Sequence, residues 1–501
     1  MNLDNYTAGK IIKEFKHKNS EHWRKVEEKT ALDLFHAAAK RVPAYKDFLK
    51  KHKVNPEKIK TVSDMKSLPI ISKKNYLQHY RYEQLLWDGS LNKYLVYSST
   101  SGSTGEPFFF PRDQVLEWES SLLHELYLSQ NPKVAQEPTL VVVCFGVGVW
   151  IAGLITYDAM SIASQRANYP VSIITPGINK NEIFKILRKL PTYYKQVIMV
   201  GYAPFIKDVL DESASHGIDF KKINLRILCA AEPFSEVFRD YLVNSAKIGS
   251  RFLDVSNIYG TADLGTMAIE TPLSILIRSL AVKDPGLFKE IFKDIVKTPT
   301  FAQYNPYAIM FEEVGGELIL SSNSSIPLIR YAIGDSGGVL RFSEVKNKVE
   351  SLGYNINKEI LKNKIQHFVY NLPFVYVYER VDSSTTLYGL QVYPEYIKEA
   401  LIESPASKYV TGKFTMHTKF DSKHNQFLEI NIELKNKIKL NNPQKKNILN
   451  KIVEKMQAKS SEFRELLRFL KDRSKPRLVF WPAGHELYFK PGTKQRWVRK
   501  Y

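Results

Sequence analysis

Cysteine is nearly absent from this 501-residue chain, with Cys144 and Cys229 the only two. That excludes a disulfide framework and a cysteine-built zinc cluster, and it reads most simply as a protein of a reducing cytoplasm. The eleven histidines never fall in H-E-x-x-H spacing, so no histidine-built zinc site is indicated. The N-terminal MNLDNYTAGKIIKEFKHKN lacks the apolar stretch of a secretory signal. Internal repeats and low-complexity tracts are missing as well.

Long apolar runs are almost missing too. The exception, PTLVVVCFGVGVWIAGLITY at 138–157, is uncharged and approaches the length of a membrane span. Its first half is β-branched, and Gly146, Gly148 and Gly153 interrupt the rest. That pattern suits a buried strand, a turn and a helix start, so no transmembrane segment is expected.

Positive charge is abundant, with a formal net charge of +20. The lysines are dispersed, as in KNKIKLNNPQKKNILNKIVEKM, and no RNP-like, zinc-finger or helix-turn-helix signature accompanies them. The reading is a solvated basic surface that suits polyphosphate ligands, with no specific nucleic acid expected. With 44% apolar residues over this length, more than one compact domain is expected.

Residues 1–90 have helical spacing, as in ALDLFHAAAKRVPAYKDFL. From about residue 94, short apolar runs (KYLVYSS, TLVVVCFG, VSIITPG, QVIMVGY, LRILCAAEP) alternate with amphipathic helices. The alternation predicts an α/β sheet with mostly parallel strands. Residues 307–342 instead predict antiparallel strands with a tight turn at Gly315–Gly316. After about residue 378, a strand (TTLYGLQVYP), a helix (EYIKEALIES), two strands (KFTMHTKF, FLEINIELK) and a long basic helix predict a separate, small α+β domain. The boundary falls near YERVDSS, giving domains 1–378 and 379–501.

Four stretches carry chemistry. TSGSTGEP, at 100–107, can present backbone N–H groups and hydroxyls to phosphate oxygens, but the Walker lysine is missing. CAAEPFS (229–235), NIYGTADLG (257–265) and PLIRYAIGDSGG (327–338) each read as a strand end with a turn. Loops at the carboxyl ends of parallel strands collect around one ligand site.

In this order and at these separations the four resemble the adenylate-forming superfamily of acyl-, aryl- and aminoacyl-AMP synthetases, and within it the phenylacetate–CoA ligase-like branch. VPAYKDFL, SLPIISKKNYL, VGGELILSS and LYGLQVYPEYIKEAL share the likeness, which covers the chain from about residue 30 to 405 and more faintly to its end. The resemblance implies a large N-terminal domain of mostly parallel sheets and helices with a distorted β-barrel-like part. A small mobile C-terminal domain would follow.

The resemblance also implies roles. Thr100, Ser101, Gly102, Ser103, Thr104 and Gly105 would hold the β- and γ-phosphates of ATP. Ala231, Glu232 and Pro233 would lie along the adenine, Tyr259 would stack on it, Gly260 would let the chain come close, and Thr261 would join the ATP-binding residues. Asp263 stands where the family has the glutamate that binds Mg²⁺, and Asp335 where it has the aspartate of the ribose hydroxyls. Arg380 and Asp382 would form the hinge, and Lys494 would be the catalytic lysine of adenylation, with Lys490 nearby. Trp150 and Phe108 could line an aromatic substrate pocket or simply pack.

The implied activity is ATP-dependent activation of an aromatic or arylacetic acid, with transfer to coenzyme A. Alternative acceptors are an amine, a carrier protein or a sugar-linked group. A nucleotide- or nucleic-acid-binding protein with weakened turnover is a third reading, and a homodimer is left open. Glu106, where the family prefers lysine, and Ala262 and Ile333 depart from its pattern. Arg112 is a candidate partner for Glu106.

Overall fold

The computed structural model describes residues 8–99, 108–148, 151–293, 298–380, 384–403, 405–485, 487–489 and 498. The N-terminal part is helical, as its spacing predicts. Ala8–His17 buries Ile11 and Phe15, Ser20–Arg41 follows behind an Asn19 cap, and Pro43–Lys51 buries Tyr45, Phe48 and Leu49. Strands β1 (Val96–Ser99) and β2 (Phe109–Arg112) form a hairpin in which Ser99 faces Phe109. The Ser/Thr/Gly stretch lies between these strands, outside the described residues.

The next five strands are parallel: β3 (Thr139–Cys144), β4 (Val171–Ile174), β5 (Gln196–Gly201), β6 (Leu225–Ala230) and β7 (Val255–Thr261). Strands β3 and β5 are buried at every residue, so their sequences run apolar rather than alternating. The uncharged run at 138–157 is split between β3 and the helix Ile151–Arg166. Among the described residues no helix is long and apolar enough to cross a membrane.

Six further strands extend the same sheet antiparallel: β8 (Gly265–Ile269), β9 (Thr300–Tyr304), β10 (Ile309–Val314), β11 (Glu317–Ser322), β12 (Leu328–Leu340) and β13 (Phe374–Arg380). The order is β10-β11-β12-β13-β9-β8-β7-β6-β5-β3-β4, a mixed sheet rather than a mostly parallel one. The barrel-like part expected from the resemblance is not a closed barrel among the described residues. Its strands continue the sheet because β12 changes partners, pairing with β11 through its first half and with β13 through its second. A register shift between Asp335 and Gly337 marks the exchange. The predicted turn at Gly315–Gly316 joins β10 to β11, with φ of 62° and 86°.

The segment between β8 and β9 is packing, as its spacing suggests. Helices Pro272–Lys283 and Pro285–Phe292 bury Leu273, Ile277, Phe288 and Phe292. The first also delivers Arg278 to a buried ionic network. Arg278 meets Glu270 at 2.7 Å and Glu236 at 2.6 Å, and Arg239 meets the same acids at 2.7 and 3.1 Å.

The C-terminal unit has a hairpin, β14 (Thr385–Leu387) and β15 (Leu390–Val392), where the sequence suggests one strand. Tyr388 and Gly389 both adopt left-handed backbone (φ 48° and 80°), which folds the strand back on itself. The helices Pro394–Ile402, Asn442–Lys459 and Ser461–Leu470 pack against β16 (Val410–Phe420), β17 (Gln426–Leu434) and β18 (Arg477–Trp481). Strand β18, parallel to β17, had no forecast in the sequence.

Candidate active site

The loops after β5, β6 and β7 meet the middle of β12 around a cavity of about 240 Å³. Its lining includes Ala231, Glu232, Pro233, Tyr259, Gly260, Thr261, Asp263 and Asp335, so the sequence-predicted segments AAEP, YGTAD and RYAIGD converge. The site lies where parallel strands end, at the point where the sheet turns antiparallel.

Ala231 holds φ at +74°, rare for a residue with a Cβ, and so turns the chain sharply at the end of β6. Glu232 follows, buried, with its carboxylate bound by the Gly389 N–H and by the Gln426 side-chain amide at 2.6 Å. The adenine-flanking candidate is thus tied to the C-terminal unit. Asn257, which the sequence reading passed over, donates to the Glu232 carbonyl at 3.0 Å, leaving its buried Oδ1 without a partner among the described residues. An amide two residues before the Tyr-Gly pair was the signal for it.

The two predicted acids are each capped by a buried phenol. Tyr259 donates to Asp335 Oδ2 at 2.6 Å, and Tyr331 donates to Asp263 Oδ2 at 2.6 Å. Lys73 Nζ lies 3.3 Å from the other Asp263 oxygen and 5.6 Å above the Phe110 ring. Lys73 comes from SLPIISKKNYL. Ile71 hydrogen-bonds Arg330 and Ala332 along the edge of β12, and Ser72 caps the following helical turn. Those contacts carry Lys73 into the cavity wall, which no local pattern signalled.

Gly260 is required by the backbone around it. A Cβ there would meet the Gly265 carbonyl oxygen at 2.5 Å, so the tight β7–β8 turn itself requires glycine. Phe108 packs against Phe110 (4.7 Å between ring centroids) and is not part of the cavity lining. Arg112, the candidate partner for Glu106, is buried, bonds Ser98 Oγ at 2.8 Å and faces Glu117 and Asp158 at 3.7 and 3.6 Å. Gly334–Gly338 has Gly-x-Ser-x-Gly spacing but lies inside β12, not at a strand-to-helix elbow. Thr100, Ser101, Gly102, Ser103, Thr104, Gly105, Glu106, Trp150, Asp382, Lys490 and Lys494 lie outside the described residues. Arg380 ends β13, opposite Asp335 in register.

For Mg²⁺, the donor set is hard oxygen. Beside the Asp263 carboxylate, the buried Thr261 Oγ1 has no partner among the described residues. Mg²⁺ keeps most of its shell as water and phosphate and takes one or two protein oxygens, so these residues fit it. Among the described residues no group of three or more His, Cys, Asp or Glu gathers as an all-protein metal site.

Other proteins share this architecture. A 2-hydroxyisobutyryl-CoA ligase, in complex with 2-HIB-AMP and CoA in its thioester-forming state, superposes over 97% of this chain and 91% of its own with a TM-score of 0.64 at 12% identity. The fold is that of the adenylate-forming enzymes. In an open conformation the same ligase covers 97% of this chain with a TM-score of 0.53. In sequence, the phenylacetate-coenzyme A ligase of Aromatoleum evansii is 20% identical over 304 residues, 60% of this chain. This chain spans 62% of that relative's length. No protein-family model matches. The likeness to the phenylacetate–CoA ligase-like branch is borne out by these relatives.

Proposed function

We propose that this protein uses ATP to convert a carboxylic acid to an acyl-adenylate, releases pyrophosphate, and passes the acyl group to the thiol of coenzyme A. The observation that carries the reading is the convergence of Ala231–Pro233, Tyr259–Asp263 and Asp335 on one cavity. In it, Asn257 Oδ1 is a free acceptor suited to an adenine amino group, and Asp335 is the acid for the ribose hydroxyls. The phenylacetate and 2-hydroxyisobutyrate ligases among its relatives support both half-reactions. An arylacetic acid is the first substrate to try.

Attack of a carboxylate on the α-phosphorus brings anions together, so positioned cations and N–H donors do most of the work. Thr100–Gly105 would hold the outer phosphates, and Lys494 would neutralise charge between the carboxylate and the α-phosphate. Asp263 and Thr261 would hold Mg²⁺, which supplies charge neutralisation on the triphosphate when bound. Lys73 adds a cation on the same wall.

The C-terminal unit, residues 379–501, would turn about Arg380 and Asp382 between the two steps. Its present docking suits the second: the TM-score is 0.64 to the ligase in its thioester-forming state, against 0.53 and 0.52 to the post-adenylation complexes. The test is carboxylate-dependent exchange of labelled pyrophosphate into ATP, with phenylacetate and 2-hydroxyisobutyrate in a wider acid panel. No exchange with any acid sinks the reading. Lys494→Ala should abolish exchange yet spare thioester formation from preformed adenylate, and equal loss of both would contradict its role.

A further inference from the structure

Glu462 stands in the first turn of the helix Ser461–Leu470, behind a Ser460 cap that accepts from the Phe463 N–H at 3.1 Å. An acid there is ordinarily explained by the helix dipole. This one does more than face solvent: it lines the large cavity from the C-terminal unit, beside Leu390, Gln391 and Tyr393, and across from Tyr202 and Glu232. Among the described residues no lysine, arginine or hydrogen-bond donor offsets its burial, which raises the carboxyl to about 7.

The nucleotide-binding loops of the large part form one wall of the cavity, and the C-terminal unit forms the other. An acceptor reaching an adenylate held by the first wall must pass the second. We infer that Glu462 takes the proton from the acceptor nucleophile in the acyl-transfer step. This rests on the function proposed above.

In that step the thiol S–H proton moves to a Glu462 oxygen as sulfur attacks the acyl carbon. The C–S bond forms, the bond from carbon to the phosphate oxygen breaks, and AMP leaves with the electron pair. A carboxylate without a cation would repel a preformed thiolate, so it suits a neutral X–H acceptor. Thiolate is the reactive form, and a base titrating near neutrality is well matched to generate it.

Among the described residues the titratable groups facing Glu462 are Tyr202 after β5, Tyr393 at the N-cap of the helix Pro394–Ile402, Tyr396 within that helix, and Glu232 after β6. Burial pushes the Tyr202 and Tyr396 phenols far above neutrality. The Glu232 carboxylate is held by Gly389 and Gln426. Glu462 is therefore the group assigned to an acyl-transfer titration near pH 7.

The experiment supplies synthetic phenylacetyl-adenylate to the full chain, with coenzyme A in one arm and ethylamine in the other, from pH 6 to 9. Wild-type transfer should rise through about pH 7 to a plateau. Glu462→Gln should lose about 100-fold at pH 7, the scale of general-base catalysis, and recover toward pH 9 as the thiol ionises by itself. Glu462→Asp should keep part of the activity, and pyrophosphate exchange in both variants should stay within about twofold, showing an intact fold. The more active arm names the acceptor class.

Unchanged transfer in Glu462→Gln, an unaltered pH profile, or equal loss of exchange and transfer would overturn the assignment. Absence of wild-type transfer in both arms would also overturn it. Absence of exchange alone would instead sink the adenylation reading.

Discussion

The ammonium of Lys73 sits 3.3 Å from Oδ1 of Asp263, while the Tyr331 hydroxyl holds Oδ2 of the same carboxylate at 2.6 Å. The acid proposed to receive Mg²⁺ is thus already partnered on both oxygens, by a cation at the cavity wall and a phenol behind it. Lys73 belongs to the N-terminal part, upstream of the Ser/Thr/Gly stretch proposed to hold phosphate, which lacks a lysine of its own. Lys73→Met should lower pyrophosphate exchange by about 100-fold, the cost of one positioned donor to a transferring phosphoryl group. Acyl transfer from preformed adenylate should change little, and equal loss in both assays would refute a phosphate-side role.

Tyr331→Phe removes the phenol's hydrogen bond to the Asp263 carboxylate. A hydrogen bond to a charged group contributes about 1.5–3 kcal/mol, so roughly a tenfold rise in the Mg²⁺ concentration for half-maximal exchange is expected. Binding of AMP without metal should not move. A loss of AMP affinity matching the loss of exchange would show that Tyr331 shapes the whole cavity.

Gly389 is a point of close contact between the two parts of the chain. Its φ is +80°, and a Cβ would come within 2.2 Å of the Tyr202 ring. Its N–H also binds the Glu232 carboxylate. Gly389→Ala should therefore push the C-terminal unit off the large part in its present docking. Acyl transfer should fall at least about tenfold while exchange, for which the other orientation is proposed, is kept. An unchanged transfer rate would show that the docking seen here is not the one used for that step.

The sequence makes the strand-end loops legible because their chemistry is local. AAEP, YGTAD and RYAIGD each combine turn residues with polar groups after an apolar strand, and all three reach the cavity. Lys73 and Glu462 were invisible because only long-range pairing brings them in, and Tyr331, though inside RYAIGD, gave no sign that its hydroxyl reaches Asp263. Lys73 depends on Ile71 docking at β12, and Glu462 on a helix more than 200 residues away from Tyr202. The β14–β15 hairpin was missed because Tyr388 gives no hint that it accepts a left-handed backbone. The missing barrel closure has a similar origin: the partner exchange within β12 is a property of its neighbours, and GDSGG alone reads as a turn.

The buried ionic network behind the site gives the chain a specific acid sensitivity. Burial pushes the Glu236 carboxyl up, but Arg239, Arg278 and Arg251 outweigh that and hold it at about 2, below its ordinary 4.5. A folded-state pKa below the unfolded one means that the stabilisation is complete above about 4.5 and is lost as pH falls toward 2. Glu236→Gln leaves Arg239 and Arg278 with Glu270 as their remaining carboxylate in the network, and should cost about 3–5 kcal/mol at pH 7. Urea unfolding of wild type and variant at pH 7, 4 and 3 checks both the cost and its sign. The gap between them should be widest at pH 7 and should narrow on acidification as wild-type Glu236 takes up its proton. A gap that stays constant across this range would mean that Glu236 stabilises the core by shape and not by charge.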